Sequence, residues 1–252
     1  MNVYLRLTYR NLRANLDRIT LFFELIFPLF FIVQGYALGG IIPPFEVGGV
    51  TFSYPVFLAA GAVTLTVINS GTNAGTQLWF DRKNGMFEQI LMGPFTRAQY
   101  ILSIIFATLI LGIAGSLLVF LIAIPVLGGR LSLTVEGGAL VAVAIFLGTM
   151  FFGTFAIAIS VALRSSETFQ IVSTFAFFVF LFTSSVFYPP NFAPPAIQVV
   201  SYLNPLTYTT NLFRAGLFGG ITPIVIAQLL VLAVESVAMF ALAVLAFRRI
   251  RV

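Results

Sequence analysis

The sequence contains no cysteine and no histidine, and only 8% of its 252 residues are charged. A soluble domain carries roughly 25% charged residues, so this chain has too little charge to cover a water-facing globular surface. The missing residue types exclude a disulfide-linked secreted domain, a His/Cys metal site and Ser–His or Cys–His catalysis. Hydrophobic residues make up 60% of the chain, which also excludes a disordered protein. The composition therefore predicts an integral membrane protein.

Long continuous apolar runs predict membrane-spanning helices. The run at residues 175–182 reads Phe-Ala-Phe-Phe-Val-Phe-Leu-Phe, without the in-and-out alternation of a barrel strand. A spanning helix needs about 20 apolar residues, and we predict six spans, at residues 19–40, 55–79, 99–126, 138–163, 168–187 and 223–247. Residues 41–54 are expected to form a loop. The predicted fold class is an all-α integral membrane protein whose transmembrane domain covers residues 19–252.

The first 18 residues are predicted to form an amphipathic helix at the membrane surface. Arg6, Arg10, Arg13 and Asp17 follow one helical stripe, and apolar residues with the same spacing follow a neighbouring stripe. Such a helix lies among the lipid headgroups, where its arginines reach phosphates. The alternative is an ordinary basic flank of the first span. The scattered arginines differ from the short basic tip of a cleavable signal peptide, and none is expected.

The distribution of lysine and arginine predicts the orientation. With the N-terminus inside, eleven of the 13 basic residues fall in cytoplasmic segments, and only Arg130 and Arg214 fall in outer segments. This bias satisfies the positive-inside rule. We therefore expect a multi-pass protein of the cytoplasmic (inner) membrane with both termini in the cytoplasm. The net charge of +5 reports this topology and not a nucleic-acid partner.

The sequence carries no nucleotide-binding motif. It has no G-x-x-x-x-G-K-[ST] loop, and its eight acidic residues are scattered along the chain. We expect no catalytic residue, no metal and no cofactor on this chain. Any movement that it performs would be powered by a partner or by a gradient.

The longest cytoplasmic connection, residues 80–98, is predicted to hold a short helix between two turns. Asn84-Gly85 is a turn signal, and Gly93-Pro94 stops a helix. Between them the apolar residues share one side, and Glu88 is predicted on the exposed side; the apolar residues are Met86, Phe87, Ile90 and Leu91. Such a face fits a groove on another protein, and it equally fits the inner leaflet or neighbouring loops.

Two motifs resemble those of type-2 ABC (ATP-binding cassette) exporter permeases. The first is similar to the family signature acidic-basic-x-x-Gly-Thr-Leu-Glu-x-Leu-Leu-x-x-Pro, and it reads Asp81-Arg82-Lys83-Asn84-Gly85-Met86-Phe87-Glu88-Gln89-Ile90-Leu91 followed by Pro94. The second resembles the segment after the family's fifth span, and it comprises Ser184-Ser185-Val186-Phe187-Tyr188-Pro189, Asn204-Pro205-Leu206-Thr207-Tyr208 and Arg214. The resemblance covers essentially the whole chain. Met86-Phe87 stands where the family usually has Thr-Leu.

The resemblance implies a transmembrane subunit that pairs with a second copy or a similar permease chain. Two cytoplasmic ATP-binding cassette subunits would bind the ATP and Mg. Residues 81–91 would then form the coupling helix that contacts the ATPase, and residues 1–18 the interfacial helix. Residues 188–222 would form re-entrant helices near the outer leaflet, with Pro189, Asn204, Pro205, Tyr208 and Arg214 as their motif residues. Members of this family export drugs, lipids or lipid-linked glycans.

Polar residues inside the spans are predicted to line a transport pathway or a seam between two copies. They are Asn69, Asn73, Thr76 and Gln77 on one face of the second span, Glu24 in the first span and Glu235 in the sixth. The alternative is interhelical hydrogen bonding, and packing of small residues at Gly71 and Gly75 beside that face. A charged group at the bilayer centre costs several kcal/mol, so Glu235 is expected to be protonated, paired or facing water.

The predicted function is that of a permease subunit in an ATP-driven exporter, which moves a hydrophobic or amphipathic molecule. An aromatic stripe in the fifth span, Phe175, Phe178 and Phe182, fits such a substrate, although stripes of this kind more often meet lipid or a neighbouring helix. One rival hypothesis is a proton-gradient-driven carrier that uses Glu235 and Glu24. Another is a scaffold or receptor that binds a partner without transport.

Overall fold

The computed structural model describes residues 3–16, 18–93, 95–127, 134–163 and 165–248. Asp17, Pro94 and Arg130 lie outside the described residues, as does the side chain of Leu91. Within the described ranges the helices are α1 (Val3–Asn15), α2 (Arg18–Leu38), α3 (Tyr54–Lys83), α4 (Met86–Met92), α5 (Arg97–Leu127), α6 (Val135–Ala162), α7 (Ser166–Phe182), α8 (Pro195–Ser201), α9 (Pro205–Arg214) and α10 (Pro223–Arg248).

Four of the described helices, α3, α5, α6 and α10, are long and apolar enough to cross a membrane. The apolar part of α2 covers Glu24–Leu38, and α7 has 17 residues. At a rise of 1.5 Å per residue, α7 is about 26 Å long, which falls short of a hydrocarbon core of about 30 Å. The all-α membrane class is confirmed, whereas the count of six spans stays a prediction.

A β-hairpin occupies residues 45–52, where the sequence predicts a loop. Strands β1 (Phe45–Val47) and β2 (Val50–Phe52) pair antiparallel. Gly48 and Gly49 form its turn with φ values of 61° and 81°, a left-handed backbone that glycine adopts without a Cβ clash. The ring centre of Phe45 lies 5.0 Å from that of Phe57 at the start of α3, so the hairpin covers this end of the helix bundle.

Helix α3 lies at the centre of the bundle, where it packs against α2, α5 and α6. Its small residues permit close contact with α6. A Cβ on Gly71 would overlap the Cβ of Phe152, and a Cβ on Gly75 would overlap the backbone oxygen of Ala156. The Gly71/Gly75 pair therefore packs two helices of one chain together, as the packing alternative proposed, and needs no second copy.

The outward faces of α2, α5, α7 and α10 carry most of the exposed large hydrophobic side chains. On α7 the predicted aromatic stripe of Phe175, Phe178 and Phe182 is exposed. An exposed apolar surface of this extent is suited to lipid or to another chain.

Candidate functional site

An ion pair joins the N-terminal helix to the end of the central helix. The two terminal nitrogens of Arg10 donate to the two carboxylate oxygens of Asp81, each at 2.6 Å. The hydroxyl of Tyr100 also donates to Oδ2 of Asp81 at 2.6 Å. The hydrogen bond and the charge of Asp81 outweigh burial and raise the pKa of Arg10 above its ordinary value, so the guanidinium stays charged.

A second set of polar contacts extends this junction between α1, α3 and α5. Asn11, which is fully buried, donates to Oγ of Ser103 at 2.9 Å and accepts from Nε2 of Gln77 at 2.7 Å. Asn15 in turn donates to Oε1 of Gln77 at 2.7 Å. Gln77 therefore lies in the junction with α1, and the prediction that it shares a pathway face with Asn69, Asn73 and Thr76 is wrong.

The short helix α4 packs its apolar side against its own chain. Gly85, with φ at 69°, reverses the chain before α4 begins. Phe87 is buried, with its ring centre 5.3 Å from that of Tyr100 and 5.7 Å from that of Phe247, and Ile90 packs against the same cluster. These contacts attach α4 to the first turn of α5 and the last turn of α10.

The exposed side of α4 differs from the prediction. Glu88 is half-buried, and its Oε2 is buried without a hydrogen-bond partner, so it does not lie on the open face. That face consists of Met86, Gln89 and Met92, and Met92 is 82% exposed. Because these residues are three apart, they form one stripe along the helix.

The basic residues that precede α4 are held at the end of α3. Arg82 donates to the backbone oxygen of Ser160 in α6 at 2.7 Å. Nζ of Lys83 lies 5.4 Å from the ring centre of Trp79, which is within cation–π range. Asn84 ends α3. The Asp81–Asn84 part of the motif thus fixes the helix end from which α4 departs.

A cavity of about 530 Å³ lies between α2, α3 and α7. From α2 it is lined by Glu24, Ile26 and Phe27, and from α3 by Asn69, Thr72, Asn73 and Thr76. From α7 it is lined by Gln170, Ser173, Thr174, Phe177 and Phe178. Nδ2 of Asn73 donates to Oε1 of Glu24. The structure therefore brings together four of the predicted pathway residues, Glu24, Asn69, Asn73 and Thr76.

Apart from Phe178, the wall that α7 contributes is not predicted from the sequence. Gln170, Ser173, Thr174 and Phe177 are spaced i, i+3, i+4 and i+7, which places them on one helical face. Oγ of Ser173 is buried without a hydrogen-bond partner. The polar spacing at the start of the fifth span was the available signal, and the neighbouring phenylalanines obscured it.

Glu235 lies apart from this cavity. It is half-buried on α10, with Oε2 buried and without a hydrogen-bond partner. Its neighbour Ser236 donates to the backbone oxygen of Leu147 in α6 at 2.9 Å. Glu235 is absent from the cavity lining that contains Glu24, so the structure does not bring the two predicted relay carboxylates together.

Arg214 is buried at the hairpin end of the bundle, although the sequence predicts it among the charges of the outer segments. Its guanidinium donates to the backbone oxygens of Ser185, Phe57 and Val186 at 2.7, 2.9 and 3.0 Å. The guanidinium carbon lies 3.4 Å from the ring centre of Phe57. Arg214 is 5% exposed, and it ties α3, α9 and the segment after α7 together.

The remaining motif residues of segment 188–222 shape its short helices. Oδ1 of Asn204 accepts from the amide of Leu206 at 2.9 Å and caps α9, which begins at Pro205. The hydroxyl of Tyr208 donates to the backbone oxygen of Tyr202, and Pro189 precedes a 3₁₀ turn at Pro190–Phe192. With seven and ten residues, α8 and α9 are too short to cross a bilayer.

The sequence matches the family described as ABC-2 type transporter over residues 4–218. The chain belongs to the ABC-2 type transporter family. The match includes α1, the α3–α4 connection, the cavity helices and the α9 segment. A permease of the ABC-2 family is a transmembrane transport subunit and is not itself catalytic.

Individual relatives are named as transport permeases. The chain is 28% identical over 192 residues to a protein of Pyropia yezoensis named as a transport permease, ycf38, and the alignment covers 75% of this chain and 64% of the relative. It is 24% identical over 192 residues to the inner membrane transport permease YadH of Escherichia coli K12, with 76% of this chain and 72% of the relative covered. The chain thus spans less than two thirds of the ycf38 relative.

Proposed function

We propose that this chain is the permease subunit of an ATP-driven exporter in the cytoplasmic membrane. In this proposal it crosses the membrane six times with both termini in the cytoplasm, and α8 and α9 re-enter the outer leaflet. It pairs with a second copy or a similar permease, and moves a hydrophobic or amphipathic molecule by alternating access. The permease role follows from the ABC-2 family, and the other statements extend it.

The observation that carries the proposal is the two-sided character of α4. One side holds Phe87 in contact with Tyr100 of α5 and Phe247 of α10, and the other side leaves Met86 and Met92 exposed. A protein bound to the exposed side would therefore act directly on two long helices. Exposed methionines suit such a contact because their side chains adapt to a partner surface.

The source of energy is assigned to the partner. The sequence contains no phosphate-binding loop, so the proposal places ATP and Mg on a separate ATP-binding cassette subunit. The exposed stripe of α4 is the surface that this subunit would contact.

The cavity between α2, α3 and α7 supports a transport role for this side of the bundle. Its volume of about 530 Å³ lies within the range that holds drug-sized ligands. Phe30 of α2 and Phe175 of α7 are exposed on the helices that border it. In the proposal a second permease chain covers these faces, and the cavity opens toward the seam.

The experiment is co-purification and an ATPase assay in lipid nanodiscs with the candidate cassette subunit. Met92→Glu places a charge on the exposed stripe and should abolish complex formation or stimulation of the ATPase. Ala98→Glu is the matched control, because it adds the same charge at an exposed position six residues further on, outside α4. Equal binding and stimulation in both variants would reject the role of α4.

One observation keeps the carrier hypothesis as the second candidate. The buried, unpartnered Oε2 of Glu235 is a group that a proton carrier would use. Flux driven by a pH gradient without any ATPase, and lost in Glu235→Gln, would favour that candidate. Binding of a partner without flux under either energy source would favour a scaffold.

A further inference from the structure

The charge of the cavity between α2, α3 and α7 distinguishes among possible substrates. Glu24 is the single ionisable residue among the described residues that line it, and the other polar members are amides and hydroxyls. Oε1 of Glu24 accepts a hydrogen bond from Asn73. A neutral amide orients this carboxylate without neutralising it, because the amide carries no charge.

The apolar side of the same cavity is aromatic. Phe27 of α2 and Phe177 and Phe178 of α7 line it together with Ile26, and the ring centres of Phe27 and Phe177 lie 5.8 Å apart. Phenylalanine faces attract a cation as well as burying apolar surface. The cavity thus combines one acid, several neutral hydrogen-bonding groups and aromatic rings.

We propose that this cavity selects an amphipathic cation, whose charge contacts Glu24 and whose apolar body contacts Phe27, Phe177 and Phe178. The proposal rests on the proposed transport function, because it names the substrate class of that exporter. An anionic molecule would be repelled by the acid, and a neutral one would leave the carboxylate without a counter-ion. The volume of about 530 Å³ fits a molecule of drug size and not an extended glycan.

The test measures binding to the purified chain without any ATPase. Rhodamine B ethyl ester, a cation, and rhodamine B, a zwitterion at neutral pH, differ by one carboxylate and serve as the probes. Fluorescence polarisation is recorded in dodecyl maltoside micelles, whose headgroups are uncharged, with empty micelles as the background. The ester should bind the chain more tightly than the zwitterion.

Single substitutions test whether Glu24 is the acid that binds the cationic ester. Glu24→Gln keeps the size of the side chain and an acceptor for Asn73, and should weaken binding of the ester about tenfold with little effect on the zwitterion. Glu46→Gln removes an exposed acid on β1 and should leave both affinities unchanged. Phe177→Leu should weaken binding of the ester more than Phe175→Leu, because Phe175 does not line the cavity.

Moving the acid from position 24 to another wall of the cavity distinguishes a loss of charge from a loss of folding. Gln170→Glu places an acid on the α7 wall of the cavity, so the double variant Glu24→Gln/Gln170→Glu should recover the preference for the ester. Equal binding of both dyes to the unmodified chain would overturn the proposal, as would an unchanged ester affinity in Glu24→Gln or no recovery in the double variant. Because no ATPase is present, this outcome is separate from success or failure of the α4 experiment.

Discussion

Arg10 and Asp81 are 71 positions apart in the chain, yet they are joined by two hydrogen bonds of 2.6 Å. The pair connects α1 to the last turn of α3, which precedes α4. Tyr100, which donates to the same carboxylate, also contacts Phe87 of α4. Helices α1 and α4 are therefore attached to the same cluster of Asp81 and Tyr100.

Loss of the Asp81 carboxylate should loosen this cluster. Asp81→Asn leaves the guanidinium of Arg10 without its counter-ion, and because Arg10 is 32% exposed we expect a loss of about 1–3 kcal/mol, below that of a fully buried pair. Unfolding can be followed by the fluorescence of Trp79, the single tryptophan of the chain. Arg13→Met, at an exposed position of α1, is the control and should change stability by about 0.5 kcal/mol or less. Equal stability of Asp81→Asn and the unmodified chain would contradict a bonding role for the pair.

The contact between α3 and α6 predicts a sharp difference between two glycines in long helices. Gly75→Ala places a methyl group against the backbone of Ala156, so we expect a loss of about 1–3 kcal/mol through overpacking. Gly115→Ala in α5 has its nearest neighbour at 3.8 Å and should be neutral or stabilising by up to about 1 kcal/mol, the helix propensity of alanine. The unfolding midpoints of both variants in the same detergent make the comparison. Similar midpoints would show that α3 and α6 separate more easily than this packing implies.

The long helices could be predicted from sequence because their signals are local. Apolar runs, together with glycine and proline at their ends, placed the starts of α3, α5 and α10 within two residues. The hairpin at residues 45–52 was missed even though Gly48-Gly49 is a hairpin-type dipeptide. Its strands have three residues each, too few to display an alternating pattern.

The candidate sites were harder to predict, because helical periodicity shows which residues share a face of a helix but not which helix packs against that face. Asn73 and Gln77 are one turn apart on α3, yet Asn73 contacts Glu24 while Gln77 contacts Asn11 and Asn15. The partner that each side chain meets depends on the positions of α1 and α2. Those positions are determined by residues that are distant in the sequence. For the same reason the half-buried position of Glu88 and the burial of Arg214 could not be inferred from the polarity of their side chains.

Removal of the Arg214 guanidinium should open the hairpin end of the bundle. Arg214→Met leaves the backbone oxygens of Ser185, Val186 and Phe57 without their donor, and unsatisfied buried acceptors favour exposure to water. The chain has no cysteine, so Ser184→Cys provides a single thiol at a fully buried position. We expect the rate of maleimide labelling at this thiol to rise about tenfold or more in the Arg214→Met background.

The control is Phe192→Cys. Position 192 is exposed, so its thiol should label at the same rate in both backgrounds. An unchanged rate at position 184 would mean that packing alone closes this end.

The absence of cysteine also permits a direct test of topology. Met92, Val135 and Phe192 are 82%, 92% and 66% exposed, so no part of the chain itself shields a thiol at these positions from a water-soluble reagent. Six spans with the N-terminus inside place residue 92 in the cytoplasm and residues 135 and 192 outside. In intact cells a membrane-impermeant maleimide should therefore label Val135→Cys and Phe192→Cys, and should label Met92→Cys only after permeabilisation. Labelling of residues 135 and 192 from opposite sides would mean that α6 and α7 do not cross as a pair. External labelling of residue 92 would show that α4 lies outside the cytoplasm, where no ATPase subunit could contact it. That result would contradict the exporter proposal.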